Sequence, residues 1–264
     1  MHCPGRRERY NGTAIWSSAV SLDHRPPPSD LPPPRQPAFN VPGIVLGLLA
    51  ALAFAHWVRV DWLDDWQGGW ALLNLSFLAG CYGSSDEVCL LRAPFAPWTS
   101  PVTHAFLHGD WMHLATNAMW LLAFGTPVAR RLGPGRFLIF CAAGAVAGAA
   151  MFYVMNTHLI QPMIGASGVV SALMGGAARF ALGSMGRGDI AYAPLLSIPR
   201  SLSDRTVVFF VIVFFATNLA LGSGAGMVFG AGGAIAWEAH VGGFLFGFLC
   251  FSAFDPRRQH PVGV

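Results

Sequence analysis

The sequence predicts an all-α membrane protein built as a bundle of six transmembrane helices. Composition and segment length carry that expectation. Apolar residues make up 54% of the chain and charged residues only 11%, where soluble domains carry roughly one quarter charge. Mean hydropathy is +0.50. Six stretches approach the ~20 mostly apolar residues that a helix needs to cross a bilayer. They are 41–58, 111–129, 136–155, 163–182, 206–223 and 230–253. Residues 41–254 thus form the membrane domain, between a tail at 1–40 and a short tail at 255–264.

The 1–40 tail has no apolar core of the kind a signal peptide carries, and Glu8, Asp23 and Asp30 argue against a mitochondrial presequence. Its run Arg25-Pro-Pro-Pro-Ser-Asp-Leu-Pro-Pro-Pro-Arg35 prevents helix and favours extended polyproline II. The tail is expected to be disordered, with a proline-binding partner as the sharper reading. Between the first two spans, the long loop 59–110 holds an apolar stretch at 69–79, too short to cross. Trp57, Trp62, Trp66, Trp70 and Trp98 around it suit an aromatic belt at the membrane interface.

Arginine placement sets an expected orientation. All sixteen basic residues are Arg. Five lie in the first tail, three at 130–136, four at 179–205 and two at the C-terminus. If six spans alternate, these fourteen share one side, while Arg59 and Arg92 lie in the 59–110 loop. The positive-inside rule then places both termini in the cytoplasm and the loop outside, for example in a bacterial inner membrane. The arginines are scattered, so no nucleic-acid platform is expected. Five cysteines show no metal-site spacing. Cys141 and Cys250 fall in apolar runs, and whether Cys81 and Cys89 are joined is left open.

Polar residues inside spans are costly and are candidates for function by default. In the second span, His113 and Asn117 lie four apart and share a helix face. His104 and His108 sit at the loop end, where a structural role bonding loop carbonyls is the simpler reading. Asp110 is placed to cap the following helix. The fourth span opens Gly165-Ala-Ser167-Gly168, and Ser171, Gly175 and Ala178 follow at helical spacing. In the sixth, His240 shares its face with Gly243 and Gly247. Two faces of small residues let helices approach closely in lipid, which would bring Ser167 to His240. A serine hydroxyl becomes a nucleophile when a histidine takes its proton. Backbone N–H groups at the glycine-framed helix start, with His113 and Asn117, would supply donors for an oxyanion. Glu238, two residues before His240, lies about 200° around the helix and cannot easily orient the ring. Asn218 in the fifth span reads as glue between helices. No phosphate loop, paired catalytic carboxylates or His-Glu-x-x-His zinc site is present.

Over roughly residues 94–250 these motifs resemble the rhomboid family of intramembrane serine proteases. The resemblance rests on His104-x-x-x-His108 followed by His113-x-x-x-Asn117, on Gly165-Ala-Ser167-Gly168, and on Ala239-His240-x-Gly242-Gly243 with Gly247. It implies a rhomboid-like six-helix bundle and a Ser167/His240 dyad with no acid. It implies that His113, Asn117 and the Ser167 backbone stabilise the oxyanion. Gly165, Gly168, His104, His108 and Gly243 would support the site, with no metal or cofactor. Single-span transmembrane proteins in the lipid bilayer would be the substrates, cut near the outer face at small residues, and the fifth span with the loop after it would form a lateral gate. Two departures stand out. The family's first loop usually carries Trp-Arg, whereas Trp98 is followed here by Thr99, and the spacing to His108 is one residue longer. The position four after the serine is often a tyrosine stacked on the catalytic histidine, and here it is Ser171. A catalytically inactive relative that binds membrane clients is the alternative, although such a protein need keep neither Ser167 nor His240. A transporter is disfavoured by the lack of an internal repeat.

Overall fold

The computed structural model describes residues 40–83, 86–182, 193–220, 222 and 235–259. The tail at 1–39, Arg187, the turn expected at 224–229, the start of the sixth span at 230–234 and residues 260–264 lie outside the described residues. Every element found is helical, apart from one isolated bridge between Phe77 and Met163.

Helix α1, Gly43–Trp57, runs on through a π turn at Val58–Trp62 into one apolar unit of 20 residues. At 1.5 Å per residue that is about 30 Å, the thickness of the hydrocarbon core. Helix α2, Asp65–Leu75, starts at Asp64, whose carboxylate accepts from the Gln67 N–H at 2.8 Å while the Gln67 side chain accepts from the Asp64 N–H. This reciprocal pairing satisfies two N–H groups that a helix start leaves unbonded. Short helices α3, Glu87–Leu90, and α4, Ala96–Thr103, complete the loop, and Cys81 and Cys89 are joined in a disulfide. Trp57 and the four loop tryptophans are exposed, Trp98 most of all at 86%, as an interfacial aromatic belt requires.

The loop lacks the Trp-Arg pair, and a different arginine organises it. Arg92, nearly buried, donates from Nε to the Leu73 carbonyl at 3.0 Å and from Nη2 to that of Ser76 at 2.9 Å. Asn74 accepts from the Ala93 N–H at 2.6 Å. A guanidinium has five donors and suits carbonyls that the end of α2 leaves without partners.

The second span comes in three pieces. Helix α5, Trp111–Trp120, passes through a π turn at Leu121–Gly125 into α6, Thr126–Leu132. Pro127 accounts for the widened turn, because it has no N–H and its ring crowds the preceding carbonyl. Helix α7, Pro134–Met155, follows after one residue. The fourth segment, expected from 163, runs non-helically through Ala166, and α8 covers Ser167–Ala178. Its approach is held by the bridge, in which Phe77 and Met163 exchange N–H···O bonds of 3.1 and 2.9 Å. Short α9, Ile198–Ser201, precedes α10, Arg205–Ala220, and α11 spans Trp237–Phe254.

The centre of the bundle is α8 packed between α7 and α11. Backbone touches backbone there. A methyl group added at Gly243 would collide with the Gly168 carbonyl, and one at Gly247 with that of Ala172. The line of closest approach on α8 is therefore Gly168, Ala172 and Gly175, of which Gly175 lies on the face the sequence suggested and the other two lie one residue round from it. Such contacts bring helices together in lipid, where apolar burial drives nothing. Below them Phe140, Phe180, Phe244 and Phe251 fill a buried aromatic core. Helix α10 is more loosely attached. Phe214 stacks on Phe244 at 4.3 Å, while Phe209, Ile212, Val213 and Leu219 are exposed.

At the far end of α11 lies a buried ion pair. Arg131, at the end of α6, contacts Asp255 at 2.7 Å, and both side chains are 2% exposed. Arg131 also donates to the Ala193 carbonyl and lies over the Phe180 ring. Arg179 donates to the carbonyls of Phe248 and Leu196.

Candidate active site

Ser167 is the first residue of α8, so its own N–H and those after it lack partners inside the helix. The chain reaches it through Gly165, whose φ of +121° is a conformation L side chains rarely adopt. A methyl at Gly165 would also lie 2.8 Å from His113 Nε2 and 3.7 Å from Ser167 Oγ. The imidazole and the hydroxyl thus converge over a glycine that only glycine can replace.

His104 and His108 hold this entry to α8. The His104 carbonyl accepts from the Gly165 N–H at 3.0 Å, and its ring lies 3.5 Å from the Ala145 carbonyl. His108 Nε2 accepts a long bond, 3.4 Å, from the Ala166 N–H. Arg59 donates to the His108 carbonyl at 2.5 Å. Both rings are fully enclosed, and burial pushes His104 down to about 4 and His108 to about 3. The unfolded chain takes up these protons near 6.5, and the folded chain only below those values. Stability is therefore complete above pH 6.5 and falls as pH drops toward about 4. For His104 alone the loss amounts to about 3 kcal/mol. Thermal unfolding in detergent between pH 7 and pH 4 should show this fall, and it should shrink in His104→Asn.

The centre of the site joins three helices. His240 Nε2 lies 2.8 Å from Ser167 Oγ. Its other nitrogen, Nδ1, lies 2.7 Å from Asn218 Oδ1 on α10. The Asn218 amide nitrogen donates to the Phe214 carbonyl at 2.8 Å, which fixes the amide orientation. Oδ1 can only accept, so His240 carries its proton on Nδ1 and presents a lone pair at Nε2 to the serine hydroxyl. His113 takes the opposite tautomer. Its Nδ1 faces the Gly109 N–H at 3.4 Å, which leaves the proton on Nε2, the nitrogen over Gly165. Asp110 caps α5 by accepting from the His113 N–H at 2.8 Å, and that bond holds its carboxyl below the usual carboxylate range. Asn117 is buried one turn on, its amide donating to the His113 carbonyl at 3.1 Å. His240 is thus set as an acceptor facing the Ser167 hydroxyl, and His113 presents a donor over Gly165.

Asn218 was expected to be glue between helices, and it is: it links α10 to α11, through the His240 ring itself. Nothing in a single polar residue within an apolar run tells which histidine it meets. Ser171 is buried in α8, and the second nitrogen of the His240 ring is held by Asn218. Glu238 lies away from the ring and accepts from Asn156 at 3.1 Å. Among the described residues no group of three or more metal-ligating side chains is present.

A helical membrane protein with a serine–histidine pair at a helix start, framed by backbone-to-backbone glycine contacts, defines a narrow class. The Rhomboid domain model matches residues 96–254, and the chain belongs to the rhomboid family. It is similar to the rhomboid protease GlpG of Yersinia pestis (strain Pestoides F), 30% identical over 188 residues, which cover 70% of this chain and 55% of that protein. The same figures hold for the rhomboid protease GlpG of Yersinia pseudotuberculosis serotype O:3 (strain YPIII). The rhomboid protease GluP of Bacillus subtilis (strain 168) is 28% identical over 166 residues, 63% of this chain and 28% of that protein. The chain thus spans about half the length of the two GlpG relatives and 28% of that of GluP.

Proposed function

We propose that this protein is an intramembrane serine endopeptidase that cuts transmembrane segments of single-span proteins near the outer membrane face. The observation that carries the reading is the 2.8 Å contact between Ser167 Oγ and a His240 Nε2 whose tautomer makes it the acceptor. In the first step Oγ bonds to the scissile carbonyl carbon as its proton passes to Nε2. The negative charge on the former carbonyl oxygen is met by His113 Nε2–H, the Asn117 amide and the Ser167 N–H. The C–N bond then breaks, and His240 returns the proton to the leaving amine. Water gives a proton to His240 and attacks the acyl ester, the acyl C–Oγ bond breaks, His240 returns the proton to Oγ, and the new C-terminal carboxyl leaves with Ser167 regenerated. Each proton taken is returned, so the cycle needs neither metal nor cofactor. The arginine asymmetry favours cytoplasmic termini in a bacterial inner membrane, with the site toward the outer face.

The test is labelling of the purified protein in detergent by a fluorophosphonate, which needs no known substrate. The parent should label and Ser167→Ala should not. Equal labelling of the two would move the nucleophile elsewhere. No labelling of folded protein, in lipid as in detergent, would favour an inactive client-binding relative.

A further inference from the structure

Dyads of serine and histidine leave the second ring nitrogen to whatever surrounds it, and here the surroundings are specific. Three features converge on Asn218. It is 6% exposed in a helix otherwise largely open to its surroundings. Its amide nitrogen is committed to Phe214 O, so the amide cannot turn over without leaving that carbonyl unbonded. Its oxygen lies 2.7 Å from His240 Nδ1. A buried polar group in a membrane span is costly unless bonded, and both ends of this one are bonded, one of them to the base.

We propose that Asn218 is the positioning residue of the Ser167–His240 pair, holding the ring in the tautomer and orientation that let Nε2 accept the serine proton. This deepens the peptidase reading and rests on it. Asn218 takes the orienting place that Ser171, small and one helix away, does not fill. It acts through His240 and touches no reacting atom. When Nε2 takes the proton, the ring becomes an imidazolium, and the Asn218 carbonyl dipole faces the Nδ1–H of that cation. The bond also ties the site to α10, which reaches α11 through Phe214 and Phe215 on Phe244, the turn before Asn218. The base is therefore held only while α10 is seated.

The experiment compares the parent with Asn218→Leu, Asn218→Asp and Ser167→Ala in the full chain. It reads fluorophosphonate labelling rate against pH, thermal unfolding, and the ring nitrogen shifts of 15N-histidine protein, with His240 assigned by His240→Ala. General-base help amounts to about 10²–10⁴-fold, and Asn218→Leu should lose about 10–100-fold of the labelling rate. Its His240 signal should move from a single Nδ1–H tautomer to a mixture. Asn218→Asp keeps an acceptor in place and should recover most of the rate. Its acidic limb should move up by about 1–3 pH units, because a carboxylate favours the charged ring. A merely structural role would lower the unfolding temperature of both variants and leave the limb in place. Parental rate and parental tautomer in Asn218→Leu overturn the proposal, as does an Asp variant no faster than the Leu variant. If parent and Ser167→Ala label alike, the peptidase reading fails on its own, and the tautomer measurement still decides whether Asn218 sets the ring.

Discussion

Alanine at Ser167, at His240, or at both together is expected to slow peptide cleavage by nearly the same factor, on the order of 10⁶. On the proposed function the two side chains, 2.8 Å apart, form one proton-transfer unit. Ser167→Ala leaves the base with nothing to deprotonate. His240→Ala leaves a hydroxyl far too weakly acidic to attack at neutral pH. Once either is gone the other has no remaining task, so the second substitution adds almost nothing. Independent contributions would instead multiply. The measurement is single-turnover cleavage of a fluorescent transmembrane peptide in liposomes for the two single variants and the double. A double variant slower than either single by more than about tenfold would mean that one residue works without the other. The backbone donors and the His113 side remain in all three variants, which is why a small residual rate over uncatalysed hydrolysis should persist.

The second large effect lies at the other end of α11, far from the chemistry. Arg131→Met is expected to destabilise the fold by about 3–5 kcal/mol. The Asp255 carboxylate is enclosed with that guanidinium, and removing one partner leaves a buried charge uncompensated. The same change also strips the Ala193 carbonyl of its donor and the Phe180 ring of its cation. Replacing both partners, Arg131→Met with Asp255→Leu, should recover much of the loss, since no charge then remains to desolvate. Denaturation in mixed micelles would measure this for each single variant and the pair. A double variant as unstable as the singles would assign the cost to packing of the arginine stem instead.

These two ends of α11 also show what the linear sequence discloses. The meeting of Ser167 and His240 could be read from residue types, because helices lined by Gly, Ala and Ser must come together and both groups lie on such faces. The placement of His113 and Asn117 on one face followed from their four-residue spacing. Other features depend on contacts between distant segments. Helix α8 starts at Ser167 because the residues before it pair with Phe77, far back in the chain, and apolar composition alone runs the segment back to 163. Asn218 had no periodic companion to point to His240. Arg131 and Arg179 entered the sequence reading only as charges in the arginine asymmetry, yet each is buried against protein carbonyls or Asp255, and a count of charges says nothing of that. Arg92 likewise looked like a loop charge, and it braces the loop against the end of α2.

The pairing of Phe77 with Met163 places the first loop in mechanical series with Ser167. Met163 precedes Ser167 by only four residues, and the Gly80 N–H further grips the Leu159 carbonyl upstream. A shift in the loop is thereby passed through the Phe77–Met163 bridge to the short non-helical stretch that leads into the glycine turn at 165. In genetic terms, lesions at Arg92, Asn74 or Phe77 would imitate lesions of Ser167 itself, although all three residues belong to the loop. The loop is a buttress for the reactive turn, and a screen for loss of function would map onto it as densely as onto the site.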